Sequence, residues 1–285
     1  MKIIRFIGLL IAIFASSIFA SSIGCANRPV HVPVMERVEF IPSIRDSSIR
    51  YETTFFIPQL DGGDTAPIVI INHGTNPGGN QGRYRASSPS KFFTGHGCTV
   101  ILPMRRGYSQ STGERTRIRH CNLTEYGIES AKDIQDIVLW LKQQSEYRNR
   151  TIIMIGQSTG GLTTMAYSSL SKDPVDAIIN FHGGVRPNSP DDCKWQARIE
   201  AFETYAQTSS PSSLWFYTSN DHSSNPEYIS RLYSSFTKAG GIAKLVQLPA
   251  FKSDGHYLFD DPDGEEIWAP IVIEYLHQRH ISFRY

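Results

Sequence analysis

The chain has 285 residues, 40% of them hydrophobic and 19% charged, with a formal net charge of +1. That is enough apolar sequence for a sizeable core and too little charge for a disordered chain. No basic cluster exceeds the pair Arg105 and Arg106, so the basic footprint of a nucleic-acid binder is missing.

Lys2 and Arg5 precede the apolar stretch "FIGLLIAIFASSIFASSIGC", and no acidic residue occurs before Glu36. A charged n-region, an apolar h-region and a small-residue tail predict an export signal over residues 1–24, with the chain periplasmic, anchored to the outer membrane or secreted. The strongly apolar residues stop near Ala15, too early for a retained transmembrane span. "Ser22-Ile23-Gly24-Cys25" resembles a bacterial lipobox that would place a lipid anchor on Cys25, although Ser22 stands where leucine is usual; cleavage after Ala20 or Ser22 is the alternative. Residues 1–24 carry two positive charges and no negative ones, so +1 less 2 leaves the remainder near −1. A short leader, 25–34, then precedes one domain over 35–285.

"RVEFI" and "SIRYETTFFIP" predict an antiparallel opening pair, the second alternating along its length. Six near-continuous apolar runs follow: "PIVIINHG" (67–74), "CTVILPM" (98–104), "TIIMIG" (151–156), "VDAIINFHGG" (175–184), "SLWFYTSND" (213–221) and "AKLVQLP" (243–249). Such runs mark parallel strands covered on both faces. Helical period appears over Thr124–Gln144, capped by Thr124 or Asn122, and at 159–171, 226–239 and 265–279. Alternating strands and helices predict an α/β sandwich around a mostly parallel sheet.

The four cysteines are Cys25, Cys98, Cys121 and Cys193. Cys98 opens an apolar run and reads as a buried free thiol. Cys121 and Cys193 lie in polar loops and are the expected disulfide pair of an oxidising compartment. No C-x-x-C, H-E-x-x-H or carboxylate cluster suggests a metal, and no G-x-x-x-x-G-K-[ST] suggests a nucleotide. No cofactor is implied.

Ligands of a parallel α/β sheet sit beyond the C-terminal ends of its strands. His73, Gly74, Arg105, Arg106, Ser158, His182, Asp221 and, after the last strand, His256 stand there. Ser158 lies in Gly156-Gln157-Ser158-Thr159-Gly160, a G-x-S-x-G turn with a strand before it and a helix after it. A serine hydroxyl needs a base to take its proton. His256, in "SDGHYLF", is the one histidine between the last strand and the last helix; His73, His182 and His222 are its rivals. An acid must then fix the imidazole. Asp221 ends its strand, whereas Asp254, two residues from His256, is better placed to shape the loop. A tetrahedral intermediate also needs preorganised donors. The Thr159 N–H is one candidate, and Thr75, with Gly74 as alternative, supplies the other from the turn His73-Gly74-Thr75 and Pro77-Gly78-Gly79.

Together these segments resemble the α/β-hydrolase superfamily, within it the serine hydrolases grouped with dienelactone hydrolases and prolyl-oligopeptidase-like esterases. "PMRRGYSQSTG" (103–113) is similar to that group's P-D-x-R-G-x-G-x-S loop, with Met104 in place of Asp. "GQSTGG", "LWFYTSNDH" and "DGHYLF" correspond to its nucleophile, acid and histidine segments. The resemblance spans about residues 50–280 and implies the α/β-hydrolase fold, a short lid at about 185–212 and the catalytic set Ser158, Asp221 and His256. Dienelactone hydrolase proper uses cysteine, so Ser158 argues against that substrate.

Within 185–212, "CKWQARIEAFETYAQ" puts Trp195, Ile199, Phe202 and Tyr205 or Ala206 on one helical face, which either forms the lid or packs on the sheet. His73, Gly74, Arg105, Arg106, Tyr108 and Trp195 are candidate substrate contacts; the arginines could clamp a carboxylate or brace their own loop. The expectation is an exported serine hydrolase cleaving a small-molecule or peptide acyl substrate, an ester first and an amide second. The competing class is a non-catalytic binding protein on the same scaffold.

Overall fold

Eight strands form one sheet in the order β1-β2-β4-β3-β5-β6-β7-β8. They are β1 (Val34–Pro42), β2 (Arg50–Pro58), β3 (Ile68–Asn72), β4 (Thr99–Pro103), β5 (Ile152–Gln157), β6 (Ala177–Phe181), β7 (Ser213–Thr218) and β8 (Ala243–Leu248). The computed structural model describes residues 32–60, 66–76, 81–170 and 175–283. The expected export signal, Cys25 and the Pro77-Gly78-Gly79 turn lie outside those residues. β1 runs antiparallel to β2, and β2 antiparallel to β4. All later pairings are parallel.

Why the apolar runs form the centre follows from their two faces. Ile68, Ile70, Ile101, Met154 and Ile178 belong to one core layer, while Val69, Ile71, Val100, Leu102, Ile153, Ile155 and Ile179 belong to the other. Period-two alternation therefore puts an apolar side chain on each face at every position. The first layer is covered by α2 (Leu123–Gln143), α3 (Thr159–Leu170), α4 (Lys194–Ala206) and α5 (Pro226–Lys238), the second by α1 (Ser87–Gly95) and α6 (Pro262–Gln278).

Helix boundaries follow their caps. Asn122 Oδ1 accepts the Glu125 N–H at 3.0 Å, so Asn122 starts α2. Asp261 Oδ1 accepts the Asp263 N–H at 2.9 Å with Pro262 at the first helical position, so α6 begins three residues before the expected 265. Helix α1 is absent from the sequence-based expectation. Its stretch SSPSKFFTG carries only two large apolar residues, and the helix is needed because a parallel β3–β4 pair requires a crossover.

Residues 185–212 divide in two. Helix α4 is a crossover helix in the core, with Ile199, Phe202 and Tyr205 buried against α2, α3 and Trp215. Only the loop before it and Trp195 face the cavity described below.

Trp268 of α6 is fully buried and meets Phe92, Phe93, Phe181 and Phe259 with ring centroids 5.0–6.1 Å apart. Trp268→Ala should cost about 3–5 kcal/mol, because the void is walled by sheet and two helices that cannot collapse into it. Urea unfolding of wild type and variant checks this; a loss below about 1 kcal/mol would mean that this layer repacks.

Candidate active site

The turn between β5 and α3 places Ser158 at φ 58°, in the left-handed region. Two close backbone approaches force it. A side chain at Gly156 would overlap the Gly160 carbonyl, and one at Gly160 would overlap the carbonyls of Asn72 and His73. With both positions bare, the strand turns into the helix within one residue, and Ser158 takes the strain that a non-glycine residue normally avoids. Its N–H donates to Phe181 O at 3.0 Å and its carbonyl accepts the Gly184 N–H at 3.0 Å, tying the turn to the end of β6.

Ser158 lines a cavity of about 1340 Å³ together with Gly74, Thr75, Thr159 and His256. Tyr84, Tyr126, Trp195, Tyr257 and Arg186 form its outer wall. His256 Nδ1 lies 2.9 Å from Asp221 Oδ1. Asp221 also accepts the Ser223 N–H at 2.8 Å and the Ser224 hydroxyl at 2.6 Å. Burial alone would raise its carboxyl; the His256 bond and the adjacent imidazoles outweigh that and hold it well below the usual carboxylate range. Asp254 instead accepts the backbone N–H groups of His256 at 3.0 Å and His222 at 3.2 Å, and its other oxygen lies 3.1 Å from His222 Nδ1. It fixes the loop, and Asp221 meets the ring.

Gln157, the residue before the serine, donates from Nε2 to the His256 carbonyl at 3.0 Å. The serine turn and the histidine loop are thereby joined, a link with no signal in the sequence. Among the described residues, no hydrogen bond joins the Ser158 and His256 side chains. The structure puts them on one cavity, with the imidazole already anchored on its far nitrogen.

The remaining candidates separate. Gly74 and Thr75 line the cavity, and a Cβ on Gly74 would meet Gln157 Oε1 at 2.8 Å and Ser158 Cβ at 3.1 Å, so a side chain there would have to push the Gln157 carboxamide aside. Among the described residues, neither the Thr75 nor the Thr159 backbone N–H has an acceptor. Trp195 lines the wall and donates from Nε1 to Ser189 O at 3.1 Å.

His73, Arg105, Arg106 and Tyr108 are not among the lining residues. His73 is fully buried; its Nε2 accepts the Arg105 N–H at 3.2 Å and its Nδ1 donates to Gly74 O at 2.6 Å. Arg105, 2% exposed, donates to His73 O at 2.7 Å. Arg106 donates from Nε to Asp133 Oδ1 at 2.7 Å and from its backbone to the other oxygen at 3.0 Å. Both guanidinium groups are engaged by the protein itself, which agrees with the loop-bracing alternative rather than the carboxylate clamp.

Two wall residues had no sequence signal at all. Tyr84 donates to Asp260 Oδ1 at 2.5 Å, bridging the loop after β3 to that after β8. Burial raises both groups, so the phenol keeps its proton. A Cys121–Cys193 disulfide, Cα–Cα 6.2 Å, joins the start of α2 to the start of α4 beside this wall. Cys98 is buried and lies outside the disulfide.

The α/β-hydrolase fold profile matches residues 67–208. The chain belongs to the α/β-hydrolase superfamily. Among solved structures of this fold, an esterase of Pyrococcus furiosus superposes with a TM-score of 0.63 at 16% identity, covering 87% of this chain and 91% of its own. Est1E from Butyrivibrio proteoclasticus, solved with ferulic acid bound, gives 0.60 at 17%, covering 85% and 98%. An acylaminoacyl peptidase of Pyrococcus horikoshii gives 0.64 at 15%, covering 88% of this chain but 42% of the larger protein. At these identities the likeness is one of fold. A sequence comparison with curated proteins finds no significant match.

The hydrolase scaffold buries a second histidine behind the site. His182, at the end of β6, has Nε2 accepting the Thr218 N–H at 3.1 Å, and its ring lies 5.6 Å from that of His256. Burial pushes it down to about 4, and burial also lowers His73. A histidine held neutral in the fold takes up a proton more readily once unfolded. Its contribution to stability is therefore complete above about 6.5 and is lost as pH falls toward 4. The urea midpoint should drop across that window, and His182→Asn should flatten the drop whatever it does to stability at pH 7; parallel pH profiles for the two proteins would refute the assignment.

Proposed function

We propose that the chain is an exported serine hydrolase that cleaves a carboxylic ester through an acyl-enzyme. The observation that carries this reading is the His256–Asp221 contact, opening on the cavity onto which the left-handed backbone turns Ser158. In the reaction Ser158 Oγ attacks the acyl carbonyl while His256 Nε2 takes its proton. Asp221 holds the Nδ1 proton and stabilises the imidazolium. The oxyanion forms against the Thr159 and Thr75 N–H groups, which have no acceptor among the described residues and gain one as charge develops. The first N–H of α3 also brings the positive end of the helix dipole to that charge. His256 then protonates the leaving alcohol; in the second half it takes a proton from water as the water oxygen attacks the acyl carbonyl, and returns that proton to Ser158 Oγ as the Oγ–acyl bond breaks and the acid leaves.

An ester is the favoured substrate because the esterase from P. furiosus and Est1E align over nearly their whole lengths. A peptide or amide is the second reading, supported by the acylaminoacyl peptidase likeness. A wall of Tyr84, Tyr126, Trp195 and Tyr257 suits an aromatic or otherwise flat acyl or alcohol group. Export is supported by the character of residues 1–24 and by the Cys121–Cys193 bond, which persists in oxidising compartments. Lipidation at Cys25 would add an anchor.

Wild type should be labelled by a fluorophosphonate probe and should hydrolyse short aryl esters. Ser158→Ala should abolish labelling and reduce kcat by about 10³-fold or more. Wild type that neither labels nor turns over any ester, thioester or amide of an acyl panel would refute the enzyme reading and favour a binding protein.

A further inference from the structure

Beside the cavity a chain of hydroxyl groups ends on a buried cation. Arg105 Nη2 donates to Thr159 Oγ1 at 3.3 Å; Thr159 Oγ1 lies 2.8 Å from Thr75 Oγ1; Thr75 Oγ1 lies 3.1 Å from the Tyr108 hydroxyl. Among the described residues no carboxylate forms an ion pair with Arg105, whereas its neighbour Arg106 has Asp133. The guanidinium is permanently charged and offers donors only. It therefore sets the direction of the chain.

A hydroxyl has one proton and two lone pairs. Thr159 Oγ1 accepts from Arg105, so its own proton goes to its other partner, Thr75 Oγ1. On the far side Tyr108 has its ring 5.4 Å from the Arg105 guanidinium and 4.3 Å from that of Arg115. A phenol is more acidic than an aliphatic hydroxyl, and although burial would raise it, Arg105, its hydrogen bond with Thr75 and Arg115 leave it lowered, so Tyr108 is the better donor of the Thr75–Tyr108 pair. In this arrangement Thr75 Oγ1 accepts twice, and its own proton is left for the cavity side, where the Tyr126 hydroxyl is its one neighbouring acceptor in the resting protein. Thr75 itself lines the cavity beside Ser158 and Thr159.

We propose that the Thr75 hydroxyl is a third oxyanion donor, a catalytic residue through its side chain as well as its backbone, and that Arg105 is the positioning residue that turns its proton to the cavity. The inference rests on the serine-hydrolase reading above. It adds to that reading a source of charge. Each hydroxyl accepting from a cation or a polarised neighbour becomes a stronger donor to the next, so part of the Arg105 charge reaches the oxyanion without an arginine entering the cavity. The Thr75 proton then meets its full partner only in the tetrahedral state, the condition under which a contact raises kcat and leaves KM alone.

The test uses Thr75→Val, which keeps the backbone N–H and the shape, Thr75→Ser, which keeps the hydroxyl, and Arg105→Met, alone and combined with Thr75→Val. Thr75→Val should lower kcat on an aryl ester by about 10²-fold with KM within about threefold, and Thr75→Ser should recover most of the loss. Affinity for an aryl trifluoromethyl ketone, which forms the tetrahedral adduct, should fall in step with kcat/KM. Arg105→Met should lower kcat in the same way, and the double variant should be little worse than either single one. Folded Thr75→Val with kcat within about threefold of wild type overturns the donor, since removal of a working oxyanion donor costs far more. Losses that multiply in the double variant overturn the link to Arg105; if Arg105→Met does not fold, Thr159→Val takes its place in the cycle. Wild-type labelling by fluorophosphonate is the control. If it fails, the hydrolase reading is at fault; if it succeeds and the variants are unchanged, this inference alone is wrong.

Discussion

Everything at the site depends on how closely three backbones meet at the end of β5. Gly156 faces the first turn of α3, and Gly160 in that turn touches the carbonyls at the end of β3. No side chain fits at either contact, so the strand reverses into the helix with Ser158 as the single residue held at positive φ. Such a residue costs on the order of 1–3 kcal/mol and persists only where its surroundings over-determine it. Here they do: backbone bonds to Phe181 and Gly184 hold the residue from the β6 side, and the Asn72 carboxamide donates to Thr164 Oγ1 at 2.8 Å from the β3 side. The strain is carried by three strands at once, so the hydroxyl position does not depend on the flexibility of one loop.

The histidine loop has no such backbone scaffold: Phe251, Leu258 and Phe259 bury its ends in the core, and polar contacts hold His256 between them. Its carbonyl is taken by Gln157, its N–H by Asp254 and its ring by Asp221. A 3-10 turn at Gly255–Tyr257 presents the ring, and Thr218 packs so closely on Gly255 that only glycine fits. The two acids nearest the imidazole thus do different work. Asp254, in the loop, is spent on backbone donors, and Asp221, at the strand end, is left with an oxygen for Nδ1. Distance along the chain explains the division: a carboxylate two residues away curls back onto the N–H groups between them, as in an Asx turn, and a carboxylate from another strand approaches side-on.

Most of the fold was legible because this sheet is buried on both faces. Each of β3 to β7 shows as a run with hardly a polar residue, and the residues just past such runs are the ones a parallel sheet presents to ligands. Helix α1 was not legible, since Phe92 and Phe93 are adjacent and give no 3.6-residue period, and its existence follows only from the β3–β4 crossover. Helix α4 has a clear apolar stripe, but a stripe does not say what it faces; the structure shows it spent on Trp215 and the neighbouring helices. The candidates Ser158, Asp221 and His256 could be named from strand ends and chain order. What no pattern could supply was distance-dependent: the Gln157 tether, the Tyr84–Asp260 bridge across 176 positions, and the fate of the two arginines.

Those arginines show why residue type at a strand end is weak evidence of substrate contact. Arg105 and Arg106 are adjacent, both charged and both near the cavity, yet they solve opposite burial problems. Arg106 is paired with Asp133 of α2, while Asp136, one turn further along that helix, takes Arg45 and Tyr51 instead. Arg105 is turned inward without an acid and is compensated by a carbonyl, hydroxyls and an aromatic face. A buried cation left so lightly compensated is costly unless the charge is useful. In the reaction proposed for Ser158, negative charge gathers on an oxyanion beyond the Thr159 and Thr75 hydroxyls that Arg105 backs. A carboxylate partner would cancel that field; dipoles conserve it. An arginine that brackets the site from behind a layer of hydroxyls can act on every acyl group that enters, because it never has to touch one.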